Sequence, residues 1–194
     1  VKVLHPNAKT VFIGPCMAKK AEIKEPDLKG AIDYVLTYEE LRDLFTTTDI
    51  DLEHLEEDNV PHASRAGIRY AYAGGVAEAV AATVKRLDPN RKIEVKVRRA
   101  DSVPDCKAMI DSILKGNREG NFFEGMGCRG GCVGGPKALV PKEQGKLNVM
   151  AYSDESTYKT PAENPYVIEL LKQLGFETVE EFLTKSDLYD RKFD

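Results

Sequence analysis

The sequence predicts an α/β fold, with a roughly four-stranded, mostly parallel sheet flanked by helices. Short apolar runs typical of buried strands alternate along the chain with longer segments whose apolar residues recur at helical spacing. Such alternation is typical of parallel strands joined by right-handed helical crossovers. With 42% hydrophobic and 31% charged residues in 194, the chain has the composition of a globular domain large enough for one core.

Strands are predicted where apolar or β-branched residues cluster between turn residues. The predicted strands are Thr10 to Ile13, Ala31 to Leu36, Lys92 to Val97 and Gly120 to Phe123.

Helices are predicted from apolar stripes and from residues that begin or end a helix. Thr37 and Glu40 form a capping box, as do Thr178 and Glu181, while Asn164 precedes a proline at a helix start. The predicted helices are Glu39 to Phe45, Gly75 to Leu87, Ser102 to Lys115, Tyr166 to Leu174, and a short one ending near Lys185.

The chain divides at its last glycine-rich stretch. Residues 1–135 are predicted to form an α/β lobe, and 136–194 a C-terminal wrapping loop and helical tail of the same domain. The segment 136–165 is polar with few apolar runs, so we interpret it as a loop. The tail is expected to pack on a neighbouring lobe.

Three of the four cysteines lie in glycine- and proline-containing turns that directly follow predicted strands. Cys16 follows the first strand, and Cys128 and Cys132 follow the last. The carboxyl ends of parallel strands meet at one edge of a sheet, so we expect these thiols to lie close together. Thiolates are the ligands of iron–sulfur clusters, which makes Cys16, Cys128 and Cys132 candidate metal ligands.

Lys19 follows Cys16 closely and would bring a positive charge and three hydrogen-bond donors to an electron-rich cluster. The alternative is that Lys19 and Lys20 are ordinary solvated lysines after a strand.

Several other residues have simpler interpretations. Cys106 recurs with apolar residues at helical spacing and is predicted to be a core cysteine. His54 lies within an acidic, irregular stretch, Asp49 to Asp58, and His62 follows it; both are expected to be solvated. Gly74 and Gly75 open a helix, where they could bind a phosphate or simply form a tight turn, and we favour the turn.

Charge and composition exclude several classes of function. A net charge of -4 without a basic stripe argues against nucleic-acid binding. No apolar run approaches the roughly 20 residues that span a bilayer, and no signal-peptide pattern is present, so we expect a cytoplasmic protein without a membrane partner. The cysteine spacing does not resemble a secreted disulfide framework.

The cysteine segments resemble signature motifs of the catalytic domain of the iron-only, or [FeFe], hydrogenases. Pro15-Cys16 with Lys19 three residues later is similar to the second motif, and Glu124 to Gly135 matches Glu-x-Met-x-Cys-x-Gly-Gly-Cys-x-x-Gly of the third. Tyr72 to Ala79 is similar to Thr-Gly-Gly-Val-Met-Glu-Ala. The likeness runs from about Ala8 to Gly135.

This resemblance implies a cofactor and a reaction. Cys16, Cys128 and Cys132 would ligate a [4Fe-4S] cubane, and Cys132 would also bridge to a di-iron subsite, which together form the H-cluster. The reaction would be reversible proton reduction and dihydrogen oxidation, with ferredoxin or a similar low-potential electron carrier as partner.

The resemblance also implies catalytic roles for three residues near the di-iron subsite. Lys19 would donate a hydrogen bond to a cyanide ligand, Met126 would pack beside the subsite, and Glu22 would belong to the proton relay.

The chain departs from the family pattern in ways that suggest a divergent branch. Gly14 replaces a usual methionine, Met17 a usual threonine, and Pro136-Lys137 stands where the family has a further glycine, then Gln-Pro. The motif that supplies the remaining cubane ligand, Thr-Ser-Cys-Cys-Pro, does not occur.

We therefore interpret the chain as the carboxyl-terminal part of the catalytic domain, and expect an upstream lobe of the same polypeptide to carry the missing motif. By itself the chain is expected to be inactive and mostly without cluster. The alternative is a non-catalytic hydrogenase-like iron–sulfur protein that acts as a sensor or in cluster assembly or electron transfer.

Overall fold

The structure, a computed structural model, describes residues 1–56 and 62–189. Within them, four short strands form two parallel two-stranded sheets. Strand β1 (Val11–Ile13) pairs with β2 (Tyr34–Leu36), and β3 (Val97–Ala100) pairs with β4 (Phe122–Gly125). The α/β class is confirmed.

The expected single sheet of about four strands is wrong for the described residues, because β1–β2 and β3–β4 do not pair with each other. Local sequence identifies apolar extended segments, but contacts between distant segments decide which strands pair.

Strands β3 and β4 both lie further along the chain than predicted. The backbone N–H groups of Asn121 and Phe122 both donate to the Lys96 carbonyl, at 2.9 and 3.1 Å, so strand pairing starts after residue 96. From there β3 continues through Arg98 and Arg99, whose side chains are exposed. Charged residues on a solvent-facing strand do not give the apolar pattern by which a strand is recognised.

Each predicted helix is present, and its bounds differ from the predicted ones by two residues or fewer. The helices Ala18–Glu22, Arg65–Ile68 and Lys142–Asp154 were not predicted. Thr37 forms the expected capping box with Glu40. The capping box expected at Thr178 is incomplete: the Glu181 N–H donates to the Thr178 hydroxyl, but the Glu181 carboxylate accepts from the Glu177 N–H. The helices of the described residues are α1 (Ala18–Glu22), α2 (Tyr38–Thr47), α3 (Arg65–Ile68), α4 (Gly75–Leu87), α5 (Val103–Leu114), α6 (Lys142–Asp154), α7 (Pro165–Gln173) and α8 (Val179–Lys185).

Helix α6 lies in the segment interpreted as a polar loop, and that interpretation is wrong. The helix packs through small residues rather than an apolar stripe. Gly145 is buried against Val133, and Ser153, fully buried, accepts a hydrogen bond from Arg69 Nε at 2.9 Å. Contacts of this kind leave no helical periodicity of apolar residues to detect.

The chain exposes far more surface than a free-standing domain. Its accessible surface is 13969 Å², about half again the roughly 9,200 Å² expected for a folded monomer of this mass. Large apolar side chains on α5 contribute, with Val103, Ile110 and Leu114 exposed by 55, 52 and 79%. Such a surface is typical of a region that packs against further polypeptide. Among the described residues, no helix is both long and apolar enough to cross a bilayer.

The Glu40 carboxylate at the start of α2 should make the stability of the fold measurably sensitive to acid. Hydrogen bonds from Lys20, then from the Thr37 N–H and hydroxyl, lower the pKa of Glu40 from 4.5 to about 2. Because the folded pKa is depressed, this stabilisation is fully present above about pH 4.5 and is lost as the pH falls through about 2. The variant Glu40→Gln should therefore be less stable than the parent chain at neutral pH, and the difference should disappear towards pH 2.

Urea unfolding at a series of pH values between 7 and 2 measures this difference. Asp43→Asn, which removes an exposed carboxylate of the same helix, is the control and should retain the parent pH dependence. A constant difference between Glu40→Gln and the parent chain at every pH would contradict the prediction.

Candidate metal centre

Cys16 lies on a short turn that leaves the end of β1. The Gly14 N–H donates to the Leu36 carbonyl at 3.0 Å, which extends the strand pairing up to the turn. A Cβ at Gly14 would stand 3.0 Å from the Phe12 ring, so the glycine makes room for this ring. Gly14 and Pro15 are buried, and Cys16 is half-buried just before the Met17 N-cap of α1.

Cys128 and Cys132 lie on the cysteine loop, residues 126–135, which follows β4. The Met126 N–H donates to the Ala100 carbonyl at 2.8 Å and so anchors the start of the loop. Gly130 and Gly131 have φ values of 83 and 86°, which favour glycine. A Cβ on Gly131 would lie 2.5 Å from the Ala73 nitrogen, so the loop packs directly on the backbone of the preceding turn.

The turn against which the loop packs, Tyr72–Gly75, is held by a buried carboxylate. Glu124, only 5% exposed, accepts hydrogen bonds from the Gly74 N–H at 2.6 Å and the Ala77 N–H at 2.8 Å. This carboxylate occupies the helix start at which a phosphate was considered, in agreement with the tight-turn interpretation. The sequence pattern alone gives Glu124 no role, although an acid in an otherwise apolar strand marks the residue as unusual.

The loops of the two sheets contact each other directly. The Lys137 N–H donates to the Pro15 carbonyl at 3.2 Å, and a Cβ on Gly135 would lie only 2.7 Å from that oxygen. The Lys137 ammonium also pairs with Glu39 of α2 at 2.6 Å. The Cys16 turn and the end of the cysteine loop are therefore neighbours.

The three thiols are near enough to influence one another electrostatically. Desolvation, followed by the Cys16 thiol, raises the pKa of Cys128. Although Cys132 lies at the surface, the atoms packed around its thiol desolvate it and raise its pKa, as do the Cys16 and Cys128 thiols. Lys19 has a smaller, opposite effect on the pKa of Cys132. The structure thus brings Cys16, Cys128, Cys132 and Lys19 into one neighbourhood.

Lys19 and Glu22 contact each other. The Lys19 ammonium hydrogen-bonds the Glu22 carboxylate and lies 5.9 Å from the centre of the Phe12 ring. Met126 is half-buried at the start of the cysteine loop. Lys20, by contrast, pairs with Glu40 of α2.

Cys106 and the histidines have partners of their own. The Cys106 Sγ contacts the carbonyls of Ala100 and Met126 at 3.7 and 3.5 Å, behind the end of β4. It is half-buried in this packing, as a structural cysteine would be. His54 bonds Asp51 at 2.8 Å, and His62 stacks on Tyr166 with ring centres 4.3 Å apart.

Comparison with known proteins identifies the family. Residues 2–136 match the model of the iron only hydrogenase large subunit, C-terminal domain. The chain belongs to this family.

Two curated iron hydrogenases are similar to this family member. Iron hydrogenase 1 of Clostridium pasteurianum is 27% identical over 177 residues, which cover 74% of the chain and 31% of the relative. The periplasmic [Fe] hydrogenase large subunit of Nitratidesulfovibrio vulgaris is 31% identical over 165 residues, 68% of the chain and 39% of the relative. The chain thus spans between about a third and two fifths of the length of these hydrogenases.

Solved [FeFe]-hydrogenase structures share the fold. The HydA(deltaEFG) structure that revealed stepwise H-cluster assembly aligns with this chain with a TM-score of 0.61 at 20% identity. The alignment covers 90% of this chain and 61% of that one. A variant of HydA1 from Chlamydomonas reinhardtii aligns with a TM-score of 0.61 at 21% identity, covering 84% and 58%. The family match over residues 2–136 confirms the resemblance found in the sequence motifs, and these structures confirm the fold.

The donor set of this hydrogenase-family chain fits part of a cluster rather than a single ion. Within residues 1–56 and 62–189, no three His, Cys, Asp or Glu side chains are grouped closely enough for one metal ion. A cubane binds each cysteine at a different iron, so its ligands stand further apart. Gly127 adds open space, because a Cβ there would meet no atom within 4 Å. Three thiols beside a glycine-lined loop are the kind of donor set that iron–sulfur clusters use.

Proposed function

We propose that this chain is the part of an [FeFe]-hydrogenase that supplies Cys16, Cys128 and Cys132 to the [4Fe-4S] cubane of the H-cluster. The protein to which it belongs would catalyse reversible proton reduction and dihydrogen oxidation. The observation that carries the proposal is the contact between the Cys16 turn and the cysteine loop, made at the Pro15 carbonyl by Lys137 and Gly135. This contact joins the two loops that carry the thiols, which follow strands of two separate sheets.

Each residue near the thiols has a role that its position supports. Cys132 would also bridge to the di-iron subsite; when bound, the cluster would supply the electrons that hydrogen conversion exchanges. Lys19 places positive charge near the Cys132 thiol and offers donors to an anionic ligand. Glu22, hydrogen-bonded to Lys19, can accept and release a proton beside it. Met126, half-buried, adds apolar cover.

The remaining parts of the site would come from outside this sequence. Cys106 is packed behind β4, so the fourth cubane thiolate is proposed to come from an upstream lobe of the same polypeptide. The large exposed surface and the coverage of only 31 to 39% of the curated relatives support this. A ferredoxin-type carrier in the cytoplasm would exchange electrons with the protein.

The non-catalytic alternative is not favoured. A sensor or assembly protein without a di-iron subsite would have no use for Lys19 and Met126 together. Here Lys19 lies close enough to Cys132 to change its pKa, and Met126 begins the loop that carries Cys132.

Infrared spectroscopy of the full polypeptide, produced anaerobically with hydrogenase maturation proteins, tests the proposal. Stretches of metal-bound carbonyl and cyanide should appear and should be absent from Cys132→Ala. In Lys19→Gln the cyanide bands should shift, whereas Lys24→Gln, which changes an exposed lysine five residues on, should leave them unchanged. An iron–sulfur signal without these bands would contradict a hydrogenase function.

A further inference from the structure

Glu124 is a buried acid that none of the roles above uses. Each of its two oxygens accepts one backbone N–H, Oε1 that of Gly74 and Oε2 that of Ala77. These donors belong to the first turn of α4, whose 13 residues present the positive end of a helix dipole there. Without the carboxylate, two buried N–H groups would lose their partner, and such groups are costly to leave unsatisfied.

The cysteine loop packs against the turn that Glu124 holds. The Ala73 N–H, next to Gly74, donates to the Gly130 carbonyl at 2.9 Å. Gly131 packs so closely that a Cβ on it would lie 2.7 Å from the Tyr72 carbonyl carbon. Gly130 and Gly131 stand between the two cysteines of the loop. Glu124 thus connects β4, from which the loop starts, to the turn against which it folds.

A second anchor keeps the loop attached when Glu124 is changed. The Gly130 N–H donates to Asp101 Oδ2 at 2.9 Å, from the segment between β3 and α5. Met126 remains bonded to Ala100 as well. Loss of the Glu124 carboxylate should therefore loosen the loop locally rather than unfold the chain.

We infer that Glu124 is a positioning residue, which holds the Tyr72–Gly75 turn in place and thereby fixes Cys128 and Cys132 relative to β4. The inference rests on the proposed ligation of a cluster by these two cysteines. Glu124 acts through the turn, because its two hydrogen bonds are to the backbone N–H groups of Gly74 and Ala77 and not to the thiols.

The test is the alkylation rate of each cysteine in the reduced, metal-free full polypeptide, measured by mass spectrometry of its peptides. In Glu124→Gln, the side chain keeps its shape but can satisfy only one of the two N–H groups with an oxygen. Cys128 and Cys132 should react about tenfold faster than in the parent protein, as expected for the loss of one charge-assisted hydrogen bond that restrains a local opening. Cys106, packed behind the same strand, should keep its rate.

Glu119→Gln is the matched control, because it removes a carboxylate near β4 that forms an exposed pair with Arg98 at 2.8 Å. It should change none of these rates. Unchanged rates at Cys128 and Cys132 in Glu124→Gln would overturn the inference. An equal acceleration of Cys106 would overturn it too, since this would indicate general destabilisation.

Because the alkylation is measured without metal, it distinguishes the inference from the proposed function. Iron and sulfide are determined separately in the reconstituted parent protein. A parent protein that binds no cluster would overturn the proposed function, while selective acceleration in Glu124→Gln would still support the positioning of the loop. A normal cluster together with unchanged alkylation would overturn only the role of Glu124.

Discussion

Gly131→Ala is expected to lower the free energy of unfolding by about 3 kcal/mol or more, and to detach the cysteine loop from the Tyr72–Gly75 turn. Gly131 has φ 86° and ψ -157°, a region almost exclusive to glycine, and placing another residue there costs about 1–3 kcal/mol. The added Cβ would also lie 2.5 Å from the Ala73 nitrogen. That neighbour is backbone and cannot rotate away, so an overpacking cost of about 1–3 kcal/mol is added.

Two other glycines separate these contributions. Gly116 has φ 87° with nothing within 4 Å of an added Cβ, so Gly116→Ala should show the backbone cost alone, about 1 kcal/mol. Gly127→Ala meets neither obstacle and should stay within about 0.5 kcal/mol of the parent chain. Urea unfolding of the three variants measures the order. Equal stabilities of Gly131→Ala and Gly116→Ala would contradict the close packing of loop and turn.

Serine at any of Cys16, Cys128 or Cys132 should abolish cluster binding by the full polypeptide, whereas Cys106→Ser should retain it. Iron in such clusters prefers soft thiolate ligands, and loss of one of four leaves an incomplete cubane. Cys106 serves as the matched control because its Sγ contacts the carbonyls of Ala100 and Met126. Iron and acid-labile sulfide per chain, after anaerobic reconstitution, measure the effect.

Each variant in this series can contradict the account. If Cys16→Ser kept the parent content of iron and sulfide, the two cysteines of the loop would bind metal without the β1 turn. If Cys106→Ser lost the cluster while the protein stayed folded, Cys106 would be a ligand and the proposed set of three would be wrong.

Local signals in the sequence predicted five of the eight α-helices of the described residues. Helix α4 has the predicted bounds, and α2 begins at the Thr37 capping box. In both, the information lies within a few neighbouring residues. Helix α6 escaped prediction because it packs through Gly145 and Ser153, and the pairing of strands into two sheets depends on contacts between distant segments.

The candidate site was predicted from an arrangement of strands in one sheet, and the structure shows two sheets instead. Cys16 and the cysteine loop were expected together because their strands would end at one edge of a single sheet. The strands belong to different sheets, and the loops meet instead through the Pro15 carbonyl and Lys137. The hydrogen-bond partners of Glu124 could not be predicted from sequence patterns either, since they are backbone N–H groups some 50 residues away.

The central claim is that Cys16, Cys128 and Cys132 hold one cluster between two sheets. The most direct test is an iron-edge anomalous difference map of anaerobically grown, cluster-loaded crystals of the full polypeptide. We expect one compact group of iron peaks in contact with all three sulfurs and none at Cys106. Iron bound only at Cys128 and Cys132, with the Cys16 sulfur unligated, would contradict it.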